Sequence, residues 1–275
     1  MTMKKIIFLS LIISLIIGSW SYQKPVEKTV LGMWTDYYLI PVTLKGKVKE
    51  VKELNNWAIE KDGKITKGKL MTKKDLDSVG STPNLKAWFD DKGNVTRYDR
   101  LNGESVTESF IGTIKNDKCV RWEDKVKDST TYYTIPEYDK SGYLIGAKDY
   151  KPLVDTLLDK VVVVHDSKGN FTRYEYYNYK NQETGYHLLS LDEKGNILEA
   201  KYYNKNDSLA STMKNIYDKN GSMIKQETFN VRTKITEIWD YKDLKVDDHG
   251  NVIEYYANVD NGKYKIFVER SFIYY

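Results

Sequence analysis

Six turns of the form Asp-x-x-Gly hold the residues whose types and spacing most invite chemistry. Asp90 and Gly93 lie in "FDDKGNV", Asp139 and Gly142 in "YDKSGYL", and Asp166 and Gly169 in "HDSKGNF". Asp192 and Gly195 lie in "LDEKGNI", Asp218 and Gly221 in "YDKNGSM", and Asp247 and Gly250 in "VDDHGNV". Carboxylates beside a glycine suggest a calcium loop. Such a loop needs alternating oxygen ligands and a glutamate at its twelfth position, and these turns have neither. Two carboxylates can also run glycoside hydrolysis, but their separation is what matters, and sequence does not supply it. His165, His187 and His249 stand at no zinc-ligand spacing. Cys119, in "DKCVRW", lies in no catalytic signature and suits a buried small residue. No nucleophile elbow, phosphate loop or dinucleotide fingerprint is present. No cofactor and no metal are therefore expected.

The same Asp-x-x-Gly units explain themselves as structure. Aspartate at the first position of a type I turn accepts hydrogen bonds from backbone N–H groups ahead of it. Glycine at the fourth adopts positive φ without steric cost. Together they make a tight hairpin loop with a bulge. From Gly142 onward the glycines fall at 142, 169, 195, 221 and 250, a period near 26 residues. A fixed period of this kind marks a repeat architecture. Apolar residues stand two after each glycine (Val95, Leu144, Phe171, Ile197, Met223, Val252). Most copies have another eight after it (Leu101, Tyr150, Tyr177, Tyr203, Phe229). Even spacing places both sets on one strand face. Looser turns such as "YKNQETG", "NKNDS" and "NVRTK" would link the hairpins. Short helical turns are expected only at "KDLDSV" and "PLVDTLLDK". The fold class is all-β: an antiparallel meander of hairpin repeats forming a twisted or curled sheet, with irregular units capping its edges and "ERSFIYY" as the last strand.

By the same parity, tyrosines at odd positions after the glycines face the other way. These are Tyr98, Tyr174, Tyr176, Tyr202 and Tyr255. Cross-strand ladders are one use for them. An exposed aromatic platform for a sugar ring or a peptide is the other.

Lys4 and Lys5, the uncharged run Ile6 to Ile17, and Ser19 and Ser21 form a secretory signal with cleavage expected after Ser21. The run is short for a transmembrane helix, which needs about 20 residues. The only cysteine, Cys119, is far from the signal, so no lipobox cysteine is there to carry a lipid. The expected organisation is a signal over 1–21, an N-terminal segment over 22–43 and a repeat domain over 44–275. The expected address is secreted or periplasmic, with no membrane span after cleavage. One cysteine in 275 residues excludes an internal disulfide framework. The net charge of +4, from 43 basic and 39 acidic residues well mixed along the chain, excludes a nucleic-acid footprint.

"YDKSGYL", "YDKNGSM" and "FDDKGNV" resemble the YD repeats of RHS-type proteins. With "LKGKVKEVKE" ahead of them, the units look like those of small exported YD-like proteins of Bacteroidetes-type bacteria. The resemblance covers Leu44 to the end and implies stacked β-hairpins. The chain shows no appended toxin domain, so the shell role of the large relatives does not carry over. MORN-like antitoxins, with similar glycine turns, are a weaker match. The function expected from all of this is a non-enzymatic binding or surface-structural one, with a glycan or another protein as partner. A carbohydrate-active enzyme with paired carboxylates is the alternative, and an antitoxin or immunity role the third.

Overall fold

A computed structural model describes residues 28–35, 38–166, 171–193, 196–219 and 221–275. The expected signal segment, Gly169 and Gly195 lie outside the described residues. The strands β1 (Lys28–Thr35) and β2 (Tyr38–Lys45) form a two-stranded sheet of their own. Then come β3 (Val48–Lys61), β4 (Lys64–Leu70), helix α1 (Lys73–Val79), β5 (Asn84–Phe89), β6 (Val95–Asn102), β7 (Ser105–Lys115) and β8 (Lys118–Val126). They are followed by β9 (Ser129–Tyr138), β10 (Leu144–Lys151), β11 (Thr156–His165), β12 (Phe171–Asn178), β13 (Glu183–Leu191) and β14 (Ile197–Asn204). The chain ends with β15 (Leu209–Tyr217), β16 (Met223–Asn230), β17 (Ile235–Val246), β18 (Val252–Val259) and β19 (Tyr264–Tyr274).

The meander is antiparallel throughout, but it is not an open or curled sheet with capped edges. The last strand returns to the first long one: β19 pairs with β3 from Ile266↔Trp57 to Tyr274↔Val48. The strand β3 is long enough to be shared on its other side. Its second half pairs with β4 and its first half with β5. The ring is therefore β3 and β5 to β19, a closed barrel of sixteen strands. Closure satisfies the edge N–H and C=O groups that an open sheet would expose. Helix α1 carries the chain from β4 to β5. Thr72 and Asp75 form its capping box, and Leu76 and Val79 are buried. The "PLVDTLLDK" segment is not helical; it is a turn leading into β11.

The hairpins follow from local chemistry. In the first, the Gly93 N–H donates to the Asp90 carbonyl at 3.0 Å, and the Asp90 N–H to the Asn94 carbonyl at 2.9 Å. Asp90 Oδ1 accepts from the N–H groups of Lys92 and Asn94. The same backbone pair recurs at Asp139, Asp218 and Asp247. Gly221 has φ +85°, and a Cβ there would meet nothing within 4 Å. Glycine is used at that position for its backbone alone, since left-handed φ costs an L-residue roughly 1–2 kcal/mol. The linking turns are less loose than their sequences suggest. Asn178 and Asn204 repeat the aspartate's bonds, with Asn181 (φ +57°) and Asp207 (φ +55°) in the glycine position. Asparagine and aspartate tolerate that region through local side-chain bonding. This turn geometry therefore stands on both rims of the barrel, beside two-residue turns such as Asn116–Asp117 and Lys127–Asp128.

Each Asp-x-x-Gly hairpin also carries a bulge just after the turn. The register shifts between Trp88 and Phe89, Val164 and His165, Ser190 and Leu191, and Ile216 and Tyr217. A bulge puts one extra residue on one strand and reverses the alternation beyond it. That reversal decides which side chains meet. The buried residues of one face, among them Val51, Ala87, Phe110, Trp122, Ala147, Val161, Ala257 and Ile266, join a single core cluster drawn from strands around the whole ring. Only the interior brings them together. A circular ring of sixteen strands leaves a water channel, so this burial requires the walls to pack against each other.

Candidate functional site

The five tyrosines, read from the sequence as either cross-strand ladders or an exposed platform, lie on the interior face. Tyr98, Tyr174 and Tyr176 are buried, and Tyr202 and Tyr255 are half-buried. Tyr98 packs on Phe110 at 5.3 Å between ring centroids. Tyr176 and Tyr202 both pack on His187, at 5.5 and 4.8 Å. Burial holds His187 down at about 4 and pushes the Tyr174 hydroxyl well above its ordinary value. The cause of the reversal is the bulge. The position two after each glycine precedes it and the odd positions follow it, so both point inward. The position eight after points outward.

The inward face also carries a line of ionisable groups. Glu53 on β3 pairs with Arg270 on β19 at 2.7 Å, with Arg270 lying over the Tyr255 ring at 4.8 Å. Burial raises the Glu53 carboxyl more than Arg270 lowers it. Arg100 on β6 pairs with Glu108 on β7 at 2.8 Å. Asp124 on β8 lies opposite Tyr132 on β9. Burial, with Glu108 adding to it, raises the Asp124 carboxyl to about 6. Asp149 on β10 lies directly opposite Asp159 on β11, each only 4% exposed. Asp149 accepts a hydrogen bond from the Thr134 hydroxyl. Burial and the neighbouring Asp159 push the Asp149 carboxyl well up. The Asp149–Asp159 pair is a poor glycosidase pair. Both carboxyls are sealed from water, each residue only 4% exposed, whereas a glycosidase holds its two carboxyls about 5–5.5 Å or more apart around a scissile bond that must reach them. Among the described residues no group of three His, Cys, Asp or Glu side chains is placed to hold a metal ion. Cys119 is buried, its thiol raised to about 12 by burial, which leaves it unreactive.

The outward face is charged and aromatic. Opposite charges stand two residues apart on single strands: Arg97 with Asp99, Arg121 with Glu123, Arg173 with Glu175, Glu199 with Lys201, and Lys225 with Glu227. Two of the arginines cap stacked tyrosines. The Arg121 guanidinium lies 3.6 Å from the Tyr133 ring centre, and Tyr133 stacks on Tyr150 at 5.2 Å. Arg173 lies 3.7 Å from the Tyr186 ring centre, and Tyr186 stacks on Tyr203 at 4.9 Å. Asp155 holds the Tyr133 hydroxyl at 2.6 Å, and Asp207 bonds that of Tyr186. These two ladders are copies 52 residues apart, counted from Arg121 to Arg173. The hairpin period hides them, because a ladder spans two hairpins. The recurrence of Arg-x-Glu at 121 and 173, with Lys-x-Glu at 225, is the sequence signal that reveals them.

No family model and no curated protein matches the chain. Among solved structures, a porin-like protein from Bacteroides uniformis aligns with a TM-score of 0.52 at 9% identity, over 84% of this chain and 98% of that one. A porin-like protein from Bacteroides vulgatus aligns at 0.38 and 12% identity, over 82% and 98%. An outer membrane lipoprotein-sorting protein domain from Vibrio parahaemolyticus aligns at 0.24 and 8% identity, over 82% and 85%. The last two are too remote to bear on the fold. The first shares the barrel architecture and nothing finer. The resemblance to YD-repeat proteins of the RHS type is accordingly corrected: the Asp-x-x-Gly motif reports hairpin chemistry here, and the fold it builds aligns with a porin-like barrel.

Proposed function

We propose that this chain is an exported, non-enzymatic binding protein whose closed barrel stands in water, with the two outward arginine–tyrosine ladders as its ligand-facing surface and a glycan as its ligand. The polarity of the two faces carries this reading. Ion pairs stand around the outside among exposed apolar side chains such as Ile135, Val164, Leu188 and Ile216, and an apolar cluster lies inside beside buried charges, whereas a membrane barrel carries an uninterrupted apolar outer band around a polar interior. Each Lys or Arg held at a bilayer midplane costs about 2–4 kcal/mol. Among the described residues no helix is long and apolar enough to cross a membrane either. Lys4, Lys5 and the apolar run after them support export. Tyr133 and Tyr186 are buried in the stacks, so the half-buried Tyr150 and Tyr203 are the rings that would meet a sugar face, with the neighbouring arginine and carboxylate as hydrogen-bond partners. On a glycan array the protein is expected to retain a defined set of sugars. The double substitution Tyr150→Ala with Tyr203→Ala should weaken that binding roughly 5- to 150-fold, from about 0.5–1.5 kcal/mol per ring. Melting temperature should change little. Retention unaffected by the double substitution, or no sugar retained at all, would remove the ladders from the ligand surface.

A further inference from the structure

We infer that the β1–β2 hairpin docks on the outer wall of a second copy of this chain, in a reciprocal dimer joined at the Asp-x-x-Gly rim. Among the described residues the hairpin is a two-stranded sheet of its own, paired with no strand of the ring. Its ladder sets Leu31 against Val42, Met33 against Ile40 and Trp34 against Leu39. Between the basal lysines, Lys28 and Lys45, neither strand carries an acid or a base. A hairpin of two strands is marginal alone in water, so this one needs a surface to lie on. Its base is fixed to the barrel. The Lys45 N–H donates to Asn251 Oδ1 at 2.6 Å, and Asn251 Nδ2 donates to the Lys45 carbonyl at 2.8 Å and to the Tyr274 hydroxyl at 2.7 Å. Asn251 and Leu44 are both buried. Asn251 follows Gly250, so the hairpin leaves the barrel at the rim that carries the Asp-x-x-Gly turns.

The same rim carries a matching surface. Leu198, Ile216 and Ile224 stand beside its turns on the consecutive strands β14, β15 and β16, at 42%, 46% and 41% exposure. Leu198 and Ile224 are the extra residues of their bulges, three after the turn glycine. The hairpin chemistry does not call for an aliphatic group there. Thr96 and Thr172 hold the same position, and their hydroxyls donate back to the carbonyls of Trp88 and Val164. Apolar groups on three adjacent strands, exposed and not required by the turns, mark a contact surface. Two copies meeting rim to rim lay each hairpin along the other's wall, the isologous arrangement of a two-fold dimer. Strands of eight residues make a hairpin about 26 Å long and roughly 10 Å wide. Two such contacts bury on the order of 1,000 Å² over both copies, the area a specific interface needs. A bilayer fits less well. Hydrocarbon leaves the outer-edge N–H and C=O groups of both strands without partners, whereas on a protein wall those edges stay open to water. The turns of this rim also mix Asp with Lys, as in Asp90, Asp91 and Lys92 or Asp218 and Lys219, and offer no basic cluster to anionic headgroups. The arginine–tyrosine ladders end in turns of the opposite rim, at Asp155 and Asp207, so the dimer leaves them free.

Analytical ultracentrifugation of the exported chain, purified without detergent, should give twice the monomer mass at high micromolar concentration and the monomer mass on dilution. Ile216→Glu on the wall and Leu31→Asp in the hairpin should each weaken association by at least about 30-fold, as loss of an interface anchor does. Ile216 is exposed, so Ile216→Glu should melt like the wild type and keeps the test valid should Leu31→Asp fail to fold. A photoreactive benzophenone amino acid at residue 33 locates the hairpin. Mixed with a copy labelled with heavy nitrogen, it should capture labelled peptides of β14 to β16. A monomer mass at every concentration, or association indifferent to both substitutions, would overturn the inference. So would capture of unlabelled peptides alone, or of labelled peptides from other strands. A monomer that sediments with phosphatidylcholine vesicles, and no longer does so as Leu31→Asp, would give the hairpin to a membrane and overturn it too.

Discussion

Arg270→Ala is expected to destabilise the protein by about 3–5 kcal/mol, the cost of leaving one member of a buried ion pair without its partner. The pair sits on the seam where the last strand meets the first, Arg270 opposite Glu53. Both side chains are nearly sealed from water. Glu53 already binds its proton more tightly than an exposed glutamate, because burial outweighs Arg270. Removing the guanidinium leaves that carboxyl to be buried alone or to take up a proton. It also strips the cation from the Tyr255 ring. Replacing both partners, as in Arg270→Met with Glu53→Gln, should recover most of the loss, since paired removal leaves no isolated charge. Urea unfolding measures both. A single substitution costing less than about 1 kcal/mol would mean that the seam is wet or open.

Trp122→Ala is expected to cost about 3–5 kcal/mol, the range for truncating a large buried aromatic. Trp122 is 1% exposed and belongs to the core cluster. Its ring lies across Gly112 on the neighbouring strand, so close that a Cβ there would meet indole carbons at 3.1–3.2 Å. The glycine makes room for the indole. The test bears on more than one residue: in a ring holding an open water channel, an inward tryptophan would lose far less. Chemical unfolding with the denaturant slope held equal gives the number. A loss under about 1 kcal/mol would show that the interior is not packed at this wall.

The hairpins were legible because their cause is local. Aspartate and glycine three residues apart specify a turn by their own hydrogen bonds and backbone freedom, and Asp90 to Gly93 needs nothing beyond its neighbours. The asparagine turns at Asn178 and Asn204 were harder to read, because Asn181 and Asp207 take a left-handed conformation that their types permit without announcing. The facing of the tyrosines was lost for a sharper reason. One bulge per hairpin shifts alternation by a single residue, and the resulting error turned Tyr98, Tyr174 and Tyr176 from inside to outside. Closure was not legible either. It depends on how curvature accumulates over many strands until β19 reaches β3, and no short segment encodes that sum. The longest strand, Val48 to Lys61, is the trace it leaves in the sequence, since it must serve three neighbours. Asp149 and Asp159 look like ordinary surface acids in a chain with 39 acidic residues. Only their register across β10 and β11 makes them a pair.

The polarity of the barrel is tested most directly by offering it a membrane. Residues 22–275, purified without detergent, should remain folded and soluble. Added in excess to planar lipid bilayers under an applied voltage, the protein should produce no current steps, because ion pairs interrupt its outer face and an apolar cluster packs its interior. Stepwise channel openings, or a folded state obtained only in detergent or lipid, would contradict the account.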